Sequence, residues 1–415
     1  MEKVPEQKPK TGSTRGADVE DRDSTRLPVQ LNLFTGKPEL GHAPRNGENG
    51  ARKTASMEGI SLVRSGDKAQ LVIHEEGIFL GKMSDRLTVK VQAGSHHAVQ
   101  ELPFFELSEV IIASGGVAFD SDLIEELCRR GIPVHFMQLA GRPDSVVPSH
   151  APMPALSATS PTLSEEADVM ILAEAQIFKA CRSLRAAKAA NQAGLLRYFA
   201  DALEHSDAER FEKLIRIADQ IKRVGNRIKA LKADSVEKTR SVLGELESTM
   251  GCLYQDGVRE IIIEKMTSMG HAAEGTVEVV QPLLQYGYGI LYTQVWGAVM
   301  LAGLEPFAGI LHGNRPGNPP LVLDLLEEFR EAVVDRAIFS SLHPGGAFGL
   351  EAGTPDVQTR KYITDMILER LESQESYEGR KRQLRSIIRS QATHMAGFLK
   401  GSRDYKPCRF KWPAG

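Results

Sequence analysis

"RPDSVVPSHAPMPALSATSPTLSEE", residues 142–166, divides the chain into two parts of unlike character. Five prolines and five serines stand in it without any apolar period. Proline fixes φ and donates no backbone hydrogen bond, so neither a helix nor a central strand runs through such a stretch. Residues 144–163 are therefore read as a linker. Before it, "ISLVRS", "AQLVIHEEGIFL", "DRLTVKVQ" and "SEVIIAS" are β-branched, partly alternating and separated by Gly, Asp and Ser turns. "FDSDLIEELCRRG" opens on the capping residues Asp120 and Ser121 and ends in Gly131, which predicts a short helix, and "IPVHFM" predicts a further buried strand. After the linker, apolar residues recur at helical spacing almost to the end. Asp207 is placed to cap one such helix, and others are expected over 235–268, 276–303, 321–338, 355–375 and 379–400.

The fold class that follows is α+β. A disordered tail (1–57) precedes a small β-rich domain (58–143), and the linker joins this to a large all-α domain (164–415) that carries the candidate chemistry. At 415 residues two domains are the natural division. Hydrophobic residues make up 41% and charged residues 25%, an ordinary soluble composition. No run approaches a membrane span, and MEKVPEQKPK lacks a signal-peptide core. Cys128, Cys181, Cys252 and Cys408 are widely spaced, which points to thiols in a reduced, cytoplasmic setting.

The formal net charge is −3, but cations cluster. Residues 376–412 hold ten Lys and Arg against Glu378 and Asp404. Arg380, Lys381, Arg382, Arg385 and Arg389 lead that run, and a second spans Lys222–Lys232. Either is a solvated helix face or a phosphate-neutralising surface, and two such runs around a metal site favour nucleic acid. The tail contains one apolar island, "QLNLF". It resembles the peptide by which bacterial proteins dock on the replicative sliding clamp, with Gln30 hydrogen-bonding beside Leu31 while Leu33 and Phe34 fill a pocket.

"ILHGNRPGNPPLVLDLLEE", residues 310–328, is the stretch richest in chemistry. Asp324 and Glu327 are three apart, so on a helix both carboxylates share a face, bordering the apolar stripe of Leu321, Leu325 and Phe329. A half-buried carboxylate needs a partner. With His312 just upstream, oxygen and nitrogen donors of this kind suit Mg²⁺ or Mn²⁺, although acids on a solvated helix edge look the same locally.

The longer segment "LLQYGYGILYTQVWGAVMLAGLEPFAGILHGNRPGNPPLVLDLLEEFREAVVDR", residues 283–336, resembles the signature of the CRISPR adaptation integrases. The likeness runs on through "RKRQLRSIIRSQATHMAGFLKG" to "YKPCRFKW" and back to "GIFLGKMSDRLTVKV" and "IIASGGVAFDSDLIEELCRRGIPVHFM", about 355 of the 415 residues. It implies a metal-dependent DNA endonuclease/integrase that joins 3′-hydroxyl ends of short DNA fragments to repeat borders by transesterification. It further implies a metal site made of a Glu, His312 and Glu327, with Asp324 one turn earlier, and Arg315 as a phosphate contact.

The first Glu of the family lies in a Gly-x-Glu-Gly segment that this chain lacks. "LGELESTMGCLY", residues 243–254, aligns without a gap and places Glu247 there, 65 residues before His312; the other register places Asp256 there. Tyr286, Tyr288 and Tyr292 are expected mainly in the core, with a hydroxyl toward the DNA as the alternative role. The implied partners are double-stranded DNA, a second copy of the chain, and a small ferredoxin-like adaptation subunit. The alternative to an integrase is a catalytically inactive DNA-binding scaffold of the same complex.

Overall fold

The structure, a computed structural model, describes residues 55–57, 59–93, 96–137, 143–147, 166–231, 236–268, 276–304, 306, 319–342 and 348–412. Its first part is built from β1 (Ala55–Met57), β2 (Ile60–Ser65), β3 (Lys68–Ile73), β4 (Ile78–Met83), β5 (Arg86–Ala93), β6 (His96–Pro103), β7 (Leu107–Ile112), β8 (Ala118–Phe119), helix α1 (Ser121–Arg130), β9 (Val134–Met137) and β10 (Pro143–Val147). One sheet runs β1-β2-β3-β7-β9-β10 and a smaller one β6-β5-β4-β8. The β2–β3 pair is antiparallel, whereas β3–β7 and β7–β9 are parallel. Asp120 caps α1 through the Asp122 N–H, and Gly131 ends it at φ 74°, a left-handed value that glycine adopts without a Cβ clash.

Side chains alternate across a strand, and here the alternation feeds two cores. Leu71, Ile73, Val110 and Ile112 pack with Leu80, Leu87 and Phe104 inside the β-domain. Val72 and Ile111, between them, belong to the core of the helical domain. The central strands are thus covered on both faces, and the larger sheet serves as the floor on which the helices rest.

The second part contains α2 (Glu166–Asp201), α3 (Ala208–Ala230), α4 (Val236–Ser268), α5 (Thr276–Leu301), α6 (Pro320–Leu326), a widened π turn (Glu331–Asp335), α7 (Arg336–Ser341), hairpin β11 (Leu350–Glu351)/β12 (Thr354–Pro355), α8 (Val357–Glu372), hairpin β13 (Gln374–Tyr377)/β14 (Arg380–Gln383) and α9 (Leu384–Leu399). Asp207 caps α3 as expected, accepting the Arg210 N–H at 3.0 Å. Among the described residues no helix is long and apolar enough to cross a membrane, and all four cysteines are free.

Four boundaries differ from the sequence expectation. Pro143–Val147 is strand β10 and not linker: it lies at a sheet edge against β9, where a proline at the first position sacrifices no ladder bond. The last residues assigned to the tail, Ala55–Met57, form an edge strand on β2. The segment 379–400 does not begin as a helix. Glu378 and Gly379, at φ 48° and 79°, form a two-residue turn, and Arg380–Gln383 returns as β14. The helix expected over 321–338 is broken. Glu328 and Phe329 donate to carbonyls three residues back, and the π turn follows at once. This tightening and widening turns successive acidic residues inward.

Candidate active site

Glu247 lies on α4 one position off the buried stripe of Leu243, Leu246, Met250 and Tyr254, and its side chain is 28% exposed. Glu327 caps the C-terminal end of α6. The two are 80 residues apart in sequence (327 − 247), and α2 joins them. Lys188 Nζ is 2.6 Å from Glu327 Oε2 and 3.6 Å from Glu247 Oε1, while Arg185 Nε donates to Glu247 Oε2 at 2.6 Å. A single ammonium therefore lies between two carboxylates brought together from different helices. Asp256 is exposed and nine residues beyond Glu247, about two and a half helical turns, so it leaves α4 on the opposite side.

The charges respond to that geometry. Burial alone would raise the Glu327 carboxyl, but Arg330 and Lys188 outweigh it and hold the group down at about 2. Burial pulls the Lys188 ammonium down, and Glu327 and Glu247 more than restore it, leaving it raised. Glu327 is thus held as a carboxylate beside a charged Lys188.

Behind it stands a connected frame. Arg330 donates to Glu327 Oε1 at 2.9 Å and stacks over the Tyr288 ring at 4.1 Å. The Tyr288 hydroxyl donates to Asp335 Oδ1 at 2.5 Å, and Tyr254 donates to Asp335 Oδ2. Tyr254 is two turns beyond Glu247 on the same helix, so the chain of contacts returns to its start. Burial, then Asp335, keeps the Tyr254 hydroxyl protonated far above the usual range, which suits its role as donor. Burial raises Asp335 as well. Glu331, one turn from Glu327, is 1% exposed and has no partner at Oε2; burial, Asp335 and Glu327 push its carboxyl up to about 8.

Adjacent Glu328 faces elsewhere. It accepts from the Tyr405 hydroxyl, from the Cys408 N–H at 2.7 Å and from Gln391 Nε2 at 2.7 Å, and burial raises it to about 7. The terminal segment containing Tyr405 and Cys408 is thereby anchored one residue from the ionised centre. Asn191 adds to the anchor by donating to the Glu328 and Cys408 carbonyls.

Of the residues selected from sequence, Glu247 and Glu327 are brought together, and Asp324, three residues before Glu327 in α6, is fully buried. His312, Arg315 and the clamp-like Gln30–Phe34 peptide lie outside the described residues. Among the described residues no three His, Cys, Asp or Glu side chains gather as a metal-ligand set. Arg380, Lys381 and Arg389 are exposed, and Arg382 stacks on Tyr377. Arg385 corrects the expectation of a DNA contact. It is buried between the domains, bonded to Glu372, Gln294 and Gln70, because the hairpin before α9 rotates this arginine inward. The hydroxyls of Tyr286 and Tyr288 bond inside the protein, toward His74 and Asp335, and Tyr292 is buried beside Trp296.

Sequence reasoning missed Lys188, Arg330, Glu331 and Asp335. The acidic residues 327, 331 and 335 recur every four positions, a signal available in "EEFREAVVDR"; Lys188, in an alanine-rich helix, has no comparable mark.

The sequence model of the family described as CRISPR associated protein Cas1 matches residues 71–346. The chain is 30% identical over 345 residues to a CRISPR-associated endonuclease Cas1 of Francisella tularensis subsp. novicida, covering 82% of this chain and 99% of that protein. It is 28% identical over 356 residues to one from Archaeoglobus fulgidus, covering 83% and 100%. In fold it is similar to a casposase bound to integration product (TM-score 0.63, 16% identity, 83% of this chain and 94% of that one). It is also similar to a Cas1 protein from Thermotoga maritima (TM-score 0.58, 16% identity, 81% and 98%). A two-sheet β-domain under a helical domain, with carboxylates of two helices converging on Lys188, agrees with that match. The chain belongs to the Cas1 family.

Proposed function

We propose that this chain is a metal-dependent DNA integrase of CRISPR spacer acquisition. The observation that carries this reading is the convergence of Glu247 and Glu327 on Lys188 in a chain of the Cas1 family. In the reaction, the 3′-hydroxyl of a short DNA fragment forms a new O–P bond at a repeat border. The P–O3′ bond of the repeat strand breaks, and the proton of the attacking hydroxyl ends on the released 3′-oxygen through solvent.

Glu247, Glu327 and His312 would hold Mg²⁺ or Mn²⁺. The donor set fits: two carboxylates already share one cationic group, and buried Glu331, one turn from Glu327, has an Oε2 without a partner. When bound, such an ion supplies Lewis-acid polarisation of the phosphate. The chain's own residues do the rest. Lys188 and Arg185 hold Glu247 in place, and Arg330 orients Glu327. No side-chain nucleophile is needed.

The proposed assembly is a homodimer acting with a small second subunit. One structural neighbour is a Cas6-RT-Cas1–Cas2 complex, which supports Cas2 as that subunit.

The test is strand transfer of a labelled duplex into a supercoiled plasmid carrying a repeat, with the divalent ion and second subunit supplied. Glu247→Ala and His312→Ala are expected to lose activity by about a hundredfold or more, while Asp256→Ala keeps it. Loss with Asp256→Ala alone would transfer the ligand role to Asp256. DNA binding without transfer in the unmodified protein would leave the scaffold.

A further inference from the structure

The side of α2 away from Lys188 forms a second feature. Ala190, two residues after Lys188, is rotated about 200° from it, and this side of α2 faces α3. Between α2, α3 and the terminal segment lies a cleft of about 320 Å³. Its floor is small and apolar, including Ala189, Ala193 and Gly225. The rim is cationic: Arg197 from α2, Lys222 and Lys229 from α3, and Arg409 from the terminal segment, with the amide of Asn226 between them.

Charge here is unbalanced. Arg197 is paired with Asp219, but among the described residues Lys222, Lys229 and Arg409 have no carboxylate within ion-pair distance. Burial, then the Arg409 and Lys222 charges, lowers the Lys229 ammonium from its ordinary value, so these cations repel one another with no counter-ion between them. The two basic runs seen in the sequence, Lys222–Lys232 and 376–412, contribute to one cleft, because the anchoring of Tyr405 and Cys408 on Glu328 brings Arg409 across α2.

We infer that this cleft binds the phosphodiester backbone of DNA, at a place separate from the Glu247–Glu327 centre. Four cations on one rim, three of them without a carboxylate partner among the described residues, fit a polyanion. A floor of small apolar side chains offers no directed hydrogen bond to a base, which makes the contact independent of base sequence. The inference rests on the proposed function, since it takes DNA as the ligand.

The experiment measures binding of a fluorescent duplex to the full chain across a salt series. Lys222→Ala with Lys229→Ala is compared with Arg223→Ala with Arg227→Ala. Both pairs remove two exposed cations from the same helix, but Arg223 and Arg227 lie outside the cleft. The cleft pair is expected to lower the slope of log affinity against log salt by about 2 and to weaken binding about tenfold at low salt, the control pair leaving both unchanged. Arg409→Ala alone is expected to lower the slope by about 1. Equal losses from the two pairs, or no loss from the cleft pair, would overturn the cleft while leaving DNA binding by the chain intact. An unmoved slope in Arg409→Ala would also overturn it. Failure of the unmodified chain to bind DNA would remove the proposed function and this inference together.

Discussion

Asp335 holds two tyrosine hydroxyls at once, one from the helix of Glu247 and one from α5. Removing its carboxylate strands two buried donors, whereas Tyr254→Phe removes one donor and leaves Asp335 satisfied by Tyr288. Because an unpaired buried polar group costs about 1–3 kcal/mol, Asp335→Ala is expected to lose about 2–5 kcal/mol and Tyr254→Phe about 1 kcal/mol. Urea unfolding of the two variants measures this, and equal losses would mean that Asp335 is no shared node. At this scale the sequence was legible for Glu247 and Glu327, since a carboxylate at the border of an apolar stripe must find a partner as it is drawn out of water. It was silent on Lys188, because a cation's partners come from other helices and leave no local period.

Two helical glycines with opposite surroundings test how the elements pack. A Cβ on Gly225 would sit 2.8 Å from the Ala189 Cβ, so α3 packs there directly on the Ala189 methyl of α2. A Cβ on Gly244 of α4 would meet nothing within 4 Å. Gly244→Ala is expected to stabilise by about 0.5–1 kcal/mol through helix propensity. Gly225→Ala gains the same propensity, yet overpacking against a rigid neighbour makes it net destabilising by about 1–2 kcal/mol. Thermal and urea midpoints of both variants decide this; stabilisation by both would show that α2 and α3 separate freely. Helix existence was legible from periodicity and caps, as with Asp207. The break at 327–335 was not, because its apolar period continues through the π turn. The hairpin at 374–383 was marked by Glu378-Gly379, but the basic run that follows looks helical by composition.

The two domains meet across polar groups as well as apolar ones. Gln70 and Glu109 of the sheet bond to Gln294 and Arg385, Ser65 donates to Glu372 at 2.6 Å, and Arg360 donates to the His74 carbonyl at 2.9 Å. His74 is fully buried between Ser61 and Tyr286; burial, then Arg360 and Lys361, lowers it from 6.5 to about 3. Unfolded, this histidine takes a proton near pH 6.5; folded, it refuses one until about 3. Between those values the unfolded chain binds more protons, so stability falls as pH drops from 6.5 toward 3. His74→Gln is expected to flatten that dependence by up to about 1.4 kcal/mol per pH unit, read from urea midpoints. Identical slopes in both proteins would show that His74 is not the group responsible.

By itself the sequence determined that a β-domain precedes a helical one, where most helices lie, and which family signature surrounds His312. Those properties follow from local periods, turn residues and a long contiguous motif. Only the tertiary structure decided that Glu247 and Glu327 share Lys188, that Arg385 is a buried link between domains, and that Lys222, Lys229 and Arg409 line one cleft. Each of these depends on the rotation of one helix against another. That rotation is set by the close-packed core, where a single glycine or a π turn changes which face looks inward.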